Sequence, residues 1–172
     1  MIRASHQKGF TLIETLIYVS ILVVVAVFVV NALLSLADVS RHLAVSQSLN
    51  RSASLSLERM VRDIREAKNI NLAESTFNTS PGTLEVVVPD GAGEKTVHFS
   101  VSNGGALAVS EDGAFVGNTT RGSTEVTNLI FRQASNGTST VIKIEMSLES
   151  VFKDVTKSAS FYGSAVVRGS YY

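Results

Sequence analysis

The chain has 172 residues, enough for one domain with a real core and too few for two large ones. Fifteen Lys and Arg balance fifteen Asp and Glu, so no bulk field favours nucleic acid, and no nucleic-acid partner is expected. Cysteine is absent, which removes disulfide scaffolds, thiolate metal sites and cysteine nucleophiles together.

Residues 1–9, MIRASHQKG, form a short basic segment with Arg3 and Lys8 and no acid. From Phe10 to about Leu36 the chain is almost entirely apolar, with ILVVVAVFVV at 21–30 as its centre. Twenty-odd residues at about 1.5 Å each span roughly 30–40 Å, enough to cross a hydrocarbon core. Lipid offers the backbone no hydrogen bonds, so a helix is forced there even on Val and Ile. Arg3 and Lys8 predict a cytoplasmic start and an exported C-terminus, a bias that Arg41 and Arg51 weaken without reversing. One carboxylate, Glu14, stands near the start of this run. A charge at that place is costly unless something meets it.

No proline or glycine interrupts residues 10–68, so the helix is predicted to continue into water. Beyond Ala37 the pattern turns amphipathic. Leu49, Ala53, Leu57, Met60, Val61, Ile64 and Ala67 follow spacings of three and four. The opposite face carries Arg51, Glu58, Arg59, Arg62, Asp63, Arg65 and Glu66, which reads as a solvated face with Glu58 and Arg62 as an i,i+4 pair.

After Asn69 the period changes to two. Leu84, Val86 and Val88 alternate, as do Val97, Phe99 and Val101, then Ile142, Ile144, Met146 and Leu148, then Ala159, Phe161, Ala165 and Val167. PDGAG at 89–93, NGG at 103–105, EDG at 111–113 and SNG at 135–137 supply the turn chemistry. Residues 83–101 and 126–148 read as two antiparallel hairpins, and 69–82 and 111–124 as loops. The hairpins need a cover, and the helix stripe at Leu57, Met60, Val61 and Ile64 is the amphipathic surface available. The expected class is α+β, a long N-terminal helix whose exported half lies across an antiparallel sheet.

A basic leader ending in Gly9, then FTLIE and an apolar helix, resembles the class III signal of type IV pilins and pseudopilins. LERMVRDIREAKNI, VHFSVSNGGALAVSEDG and TEVTNLIFRQ look most like the J-type minor pseudopilins of type II secretion and their minor-pilin relatives. The resemblance implies a leader at 1–9, a transmembrane assembly helix at 10–36, an amphipathic stalk at 37–68 and a β-rich head at 69–172. It implies cleavage after Gly9 by a prepilin peptidase on the cytoplasmic side, and methylation of the new amine on Phe10. Glycine suits such a cut because it brings no side chain to the peptidase cleft. It also makes Glu14 the acidic residue five into the mature chain, where a neighbouring subunit's Phe10 amine would neutralise it. The implied partners are the peptidase, other pilins met through the N-terminal helix, the inner-membrane assembly platform and the lipid bilayer. The implied place is the bacterial inner membrane, then a filament in the periplasm or at the cell surface.

The rival reading is a secreted or membrane-tethered β-domain for ligand binding, with Ser35-Leu36-Ala37 as an ordinary small-x-small cleavage site. The apolar stretch is longer than such a signal needs, and an acid near its start is wrong for one. No enzymatic role, metal or cofactor is expected. His6, His42 and His98 are scattered, and there is no HExxH, GxSxG, Walker A or dinucleotide fingerprint. Asp90, Glu94, Glu111 and Asp112 near glycine turns read as solvated turns rather than a calcium loop.

Overall fold

The structure, a computed structural model, describes residues 11–120, 122–136 and 139–171. Gly9 and Phe10 therefore lie outside the described residues. The chain divides into two units, Met1–Arg41 and His42–Tyr172, and helix α1, Leu12–Glu66, supplies residues to both.

In the second unit the helix ends at Glu66 and the chain passes directly into strands, Lys68 N–H donating to Val87 O at 2.8 Å. The strands are β1 (Asn69–Ile70), β2 (Leu84–Asp90), β3 (Gly93–Val101), β4 (Leu107–Glu111), β5 (Ala114–Asn118), β6 (Thr124–Ser135), β7 (Thr140–Phe152) and β8 (Val155–Val166), followed by a short 3-10 turn, Arg168–Tyr171. They form two antiparallel sheets, a five-stranded one ordered β1-β2-β3-β4-β5 and a three-stranded one ordered β6-β7-β8. The backbone of residues 78–82 covers the outer edge of β6, with Asn78 N–H on Phe131 O and Gly82 N–H on Leu129 O, at 2.9 and 2.8 Å. Covering an edge in this way removes a template for stray strand pairing.

One core joins the helix to both sheets. Leu49, Ala53, Met60 and Ile64 of α1 pack with Leu84, Val86, Val97 and Phe99 of the larger sheet and with Leu129, Phe131, Ile142, Ile144 and Leu148 of the smaller. The architecture is α+β, as the change from a period of three and four to a period of two predicts. Met60 and Ile64 are wholly buried, while Leu57 and Val61 are half-buried at the flank of the stripe. That flank lies over β8, where a Cβ added to Gly163 would come within 3.2 Å of Leu57 Cδ2 and 3.6 Å of Val61 Cγ2. Small hydroxyls complete the opposite flank, with Ser56 Oγ 2.9 Å from Thr119 Oγ1.

Three expectations are corrected. The strands form two sheets rather than one, because alternation marks which face of a strand is buried but not which strand pairs with it. Residues 114–118, expected in a loop, form β5; as an edge strand exposed along most of its length, it shows no alternation to read. The charged face of α1 is not wholly solvated. Asp63 is buried, and Arg59 lies between it and Glu111 of β4, with Nε 2.6 Å from Asp63 Oδ2 and Nη2 2.5 Å from Glu111 Oε1. Lys95 Nζ reaches the other Glu111 oxygen at 2.8 Å. Arg62, expected to pair with Glu58, instead lies 3.7 Å from Asp63 Oδ1. Asp63 falls three residues after Met60, so the edge of the apolar stripe carries it into the interface.

This network has a pH signature. Hydrogen bonds from Lys95 first and Arg59 second hold the Glu111 carboxyl below the usual carboxylate range, against partial desolvation. A depressed folded-state pKa gives stability that is present above the unfolded pKa and is lost as pH falls through the folded one. Glu111→Gln is therefore expected to destabilise the head at neutral pH by about 1–2 kcal/mol, kept low by the carboxyl's partial exposure. The deficit should shrink as pH falls below about 4. Thermal melts of the full chain in detergent micelles at several pH values check this; a deficit independent of pH would show that Glu111 acts through packing alone.

Candidate functional site

The first unit is built around the apolar part of α1. Every large apolar side chain from Leu12 to Leu36 is half or more exposed, from Leu12 at 83% to Ile17 at 50%. Such a surface is stable only against lipid or against other apolar helices. Among the described residues, α1 is the one helix long and apolar enough to cross a membrane. Two of its hydroxyls bond within the helix, Thr15 Oγ1 donating to Leu12 O and Ser20 Oγ to Leu16 O, each at 2.8 Å. Hydroxyls bonded in this way can stand in hydrocarbon without an unmet donor.

Glu14 has a defined seat. Its backbone N–H donates to Thr11 Oγ1 at 3.3 Å, so Thr11 caps the helix and Glu14 occupies the third helical position. A carboxylate there is favoured by the partial positive charge of the helix N-terminus. Tyr18, one turn on, donates its hydroxyl to Glu14 Oε1 at 3.1 Å. Its carboxylate is thus held, half-buried, against its own helix. Thr11 and Tyr18 were not singled out from the sequence, although a Thr three residues before Glu14 and a Tyr four after it are the signals that find them.

Two of the remaining acids near turns are engaged by their own chain. Glu94 Oε1 lies 2.9 Å from Lys68 Nζ, and Asp112 Oδ1 accepts from Thr96 N–H at 2.8 Å. His98 Nδ1 stands 3.4 Å from Glu85 Oε2 on the neighbouring strand, and His42 is exposed on the helix. Among the described residues no group of three or more His, Cys, Asp or Glu is placed to hold a metal ion.

A comparison with protein families matches residues 4–30 to the prokaryotic N-terminal methylation motif. The matched stretch contains Gly9, Phe10 and Glu14 and runs on into the apolar helix. Neither the curated proteins nor the solved structures gave a match. The motif and the single apolar helix that follows it support a type IV pilin-like protein, anchored in a membrane and processed by a prepilin peptidase.

Proposed function

We propose that the chain is a minor pilin or pseudopilin, a structural subunit of a type II secretion pseudopilus or a type IV pilus, placed near the filament tip. The observation that carries this reading is the methylation motif at 4–30 leading into an exposed apolar helix. The peptidase cuts between Gly9 and Phe10 and methylates the Phe10 amine, which stays cationic. That amine directly precedes Thr11, the cap that seats Glu14. The subunit begins in the inner membrane with its N-terminus cytoplasmic and its head exported, as Arg3 and Lys8 favour. It then meets the assembly platform and other pilins through the 10–36 helix. The J-type assignment rests on the sequence resemblance, and the structural rather than catalytic role on the lack of any catalytic motif in the sequence.

The mass of the mature N-terminus tests the reading. Methyl-Phe10 is expected. A chain beginning at Asp38 would assign an ordinary signal peptide and favour the secreted β-domain instead, and intact Met1 would remove processing altogether. Gly9→Val should block the cut, because a branched side chain fills the space glycine leaves. The precursor should then accumulate in the membrane with its leader attached.

A further inference from the structure

The smaller sheet ends in a finger. Thr124, the first residue of β6, pairs with Ser150, and Ser150 pairs with Lys157. Beyond that level β7 and β8 continue as a pair without β6, through Val151 with Thr156 and Phe152 with Val155, closed by Lys153 and Asp154. Contacts inside the second unit fix the direction of this finger. Lys157 Nζ donates to Ser46 Oγ at 2.9 Å, and Gly163 lies under Leu57 and Val61. Ser46 to Leu57 and Val61 is about 17–22 Å of helix, and Lys157 to Gly163 about 20 Å of strand. The two rises match and both chains advance in the same direction, so β8 runs parallel to the helix beside it.

The Lys153–Asp154 turn lies three to four residues past Lys157, about 10–13 Å beyond the level of Ser46. His42, where the helix enters this unit, is only about 6 Å beyond Ser46. The finger therefore overreaches the end of the unit at which the chain arrives from its apolar segment. Its tip joins two exposed apolar side chains to a turn that carries Lys153 and Asp154. Val151 and Phe152 are 47% and 44% exposed, and Lys153 Nζ stands 5.7 Å above the Phe152 ring. Lys153 holds φ at 57°, a left-handed conformation that glycine or asparagine takes at lower cost. An aromatic ring, neighbouring aliphatic groups and a lysine are the composition that settles at a lipid headgroup layer.

We propose that this finger is a membrane-contact site, with Phe152 and Val151 entering the headgroup boundary of the bilayer and Lys153 on an anionic phospholipid phosphate. The proposal rests on the reading that the apolar helix spans the bilayer with the head on the far side. The bilayer is the occupant because the helix entering the unit at this end is the chain's own membrane segment.

The chain contains no tryptophan, so single substitutions give clean fluorophores. Full-length protein carrying Phe152→Trp, Val24→Trp or Phe115→Trp is placed, one copy per disc, in lipid nanodiscs of phosphatidylethanolamine and phosphatidylglycerol. The acyl chains are either plain or brominated. Phe115 is exposed on β5, paired with Ser110 beside Glu111, and so lies at the level of Arg59 rather than of Ser46. Bromination should quench emission at positions 24 and 152 and spare 115. Lys153→Glu, or discs without phosphatidylglycerol, should reduce the quenching at 152. Position 152 behaving like 115 would overturn the proposal while leaving the membrane helix intact, and is the outcome expected of a finger that docks on a neighbouring subunit. Quenching at all three positions would overturn it by showing a head that lies on the bilayer at large. An unquenched position 24 would overturn the membrane reading and this site with it. Val151→Trp repeats the measurement should Phe152→Trp disturb the turn.

Discussion

Ile64→Asp should leave the head without a cooperative fold. Ile64 is wholly buried in the core that joins α1 to both sheets, with Met60 one turn before it and Ala67 after it. The substitution removes a packed aliphatic side chain, a loss of about 2–5 kcal/mol for truncation alone, and replaces it with a carboxylate that has no partner on that face. Arg59 is taken by Asp63 and Glu111 and lies on the flank of the helix. The total reaches the scale of a small domain's whole stability, roughly 5–15 kcal/mol. Arg62→Gln is the control, since the Arg62 side chain is 57% exposed and its nearest acid is 3.7 Å away; it should shift stability by no more than about 0.5 kcal/mol. Circular-dichroism melts and limited proteolysis of the full chain in micelles measure both variants. Similar melting of the two would mean that the helix does not cover the sheets through this stripe.

The parts of the fold that the sequence displays are those governed by burial. The stripe from Leu49 to Ala67 and the alternation in β2, β3, β7 and β8 exist because each faces the core on one side and water on the other. β5 was not legible for the same reason in reverse, since an edge strand held by backbone pairing to β4 needs no alternation. The two sheets were not legible because register and partner choice depend on contacts far apart in sequence, such as Val126 N–H on Gly105 O. Asp63 reads as solvated in the sequence because its spacing alone cannot show that Arg59 and Glu111 meet at that point. At the candidate site, Gly9, Phe10 and Glu14 stand out by residue type and order, and the matched motif spans them. Thr11 and Tyr18 are marked in the sequence only by their spacing from Glu14, and their hydrogen bonds give that spacing its meaning.

Replacing Glu14 should abolish assembly while leaving insertion, cleavage and head folding intact. Removing a carboxylate from an apolar helix eases insertion, by roughly 2.5–3.5 kcal/mol on insertion scales when the charge lies deep. The core of the head is built from Leu49 onward and does not include Glu14. On the proposed reading, what is lost is the counter-charge to the cationic Phe10 amine of a neighbouring subunit, and apolar packing between parallel helices does not by itself set their axial register. The local seat of Glu14 gives the experiment a sharper form than a single deletion. Glu14→Leu removes the charge and also the acceptor for Tyr18, whereas Glu14→Gln keeps an oxygen for that hydroxyl and removes only the charge. Tyr18→Phe removes the hydroxyl and keeps the charge. If ion pairing sets register, Glu14→Leu and Glu14→Gln should both lose cross-linking to partner pilins through cysteines placed in the 10–30 helix, where the native chain has none. Tyr18→Phe should cross-link like the wild type. If Glu14→Gln assembles and Glu14→Leu does not, the hydrogen bond to Tyr18 is the operative contact and the charge is incidental. Wild-type cross-linking in both Glu14 variants would remove Glu14 from the assembly mechanism.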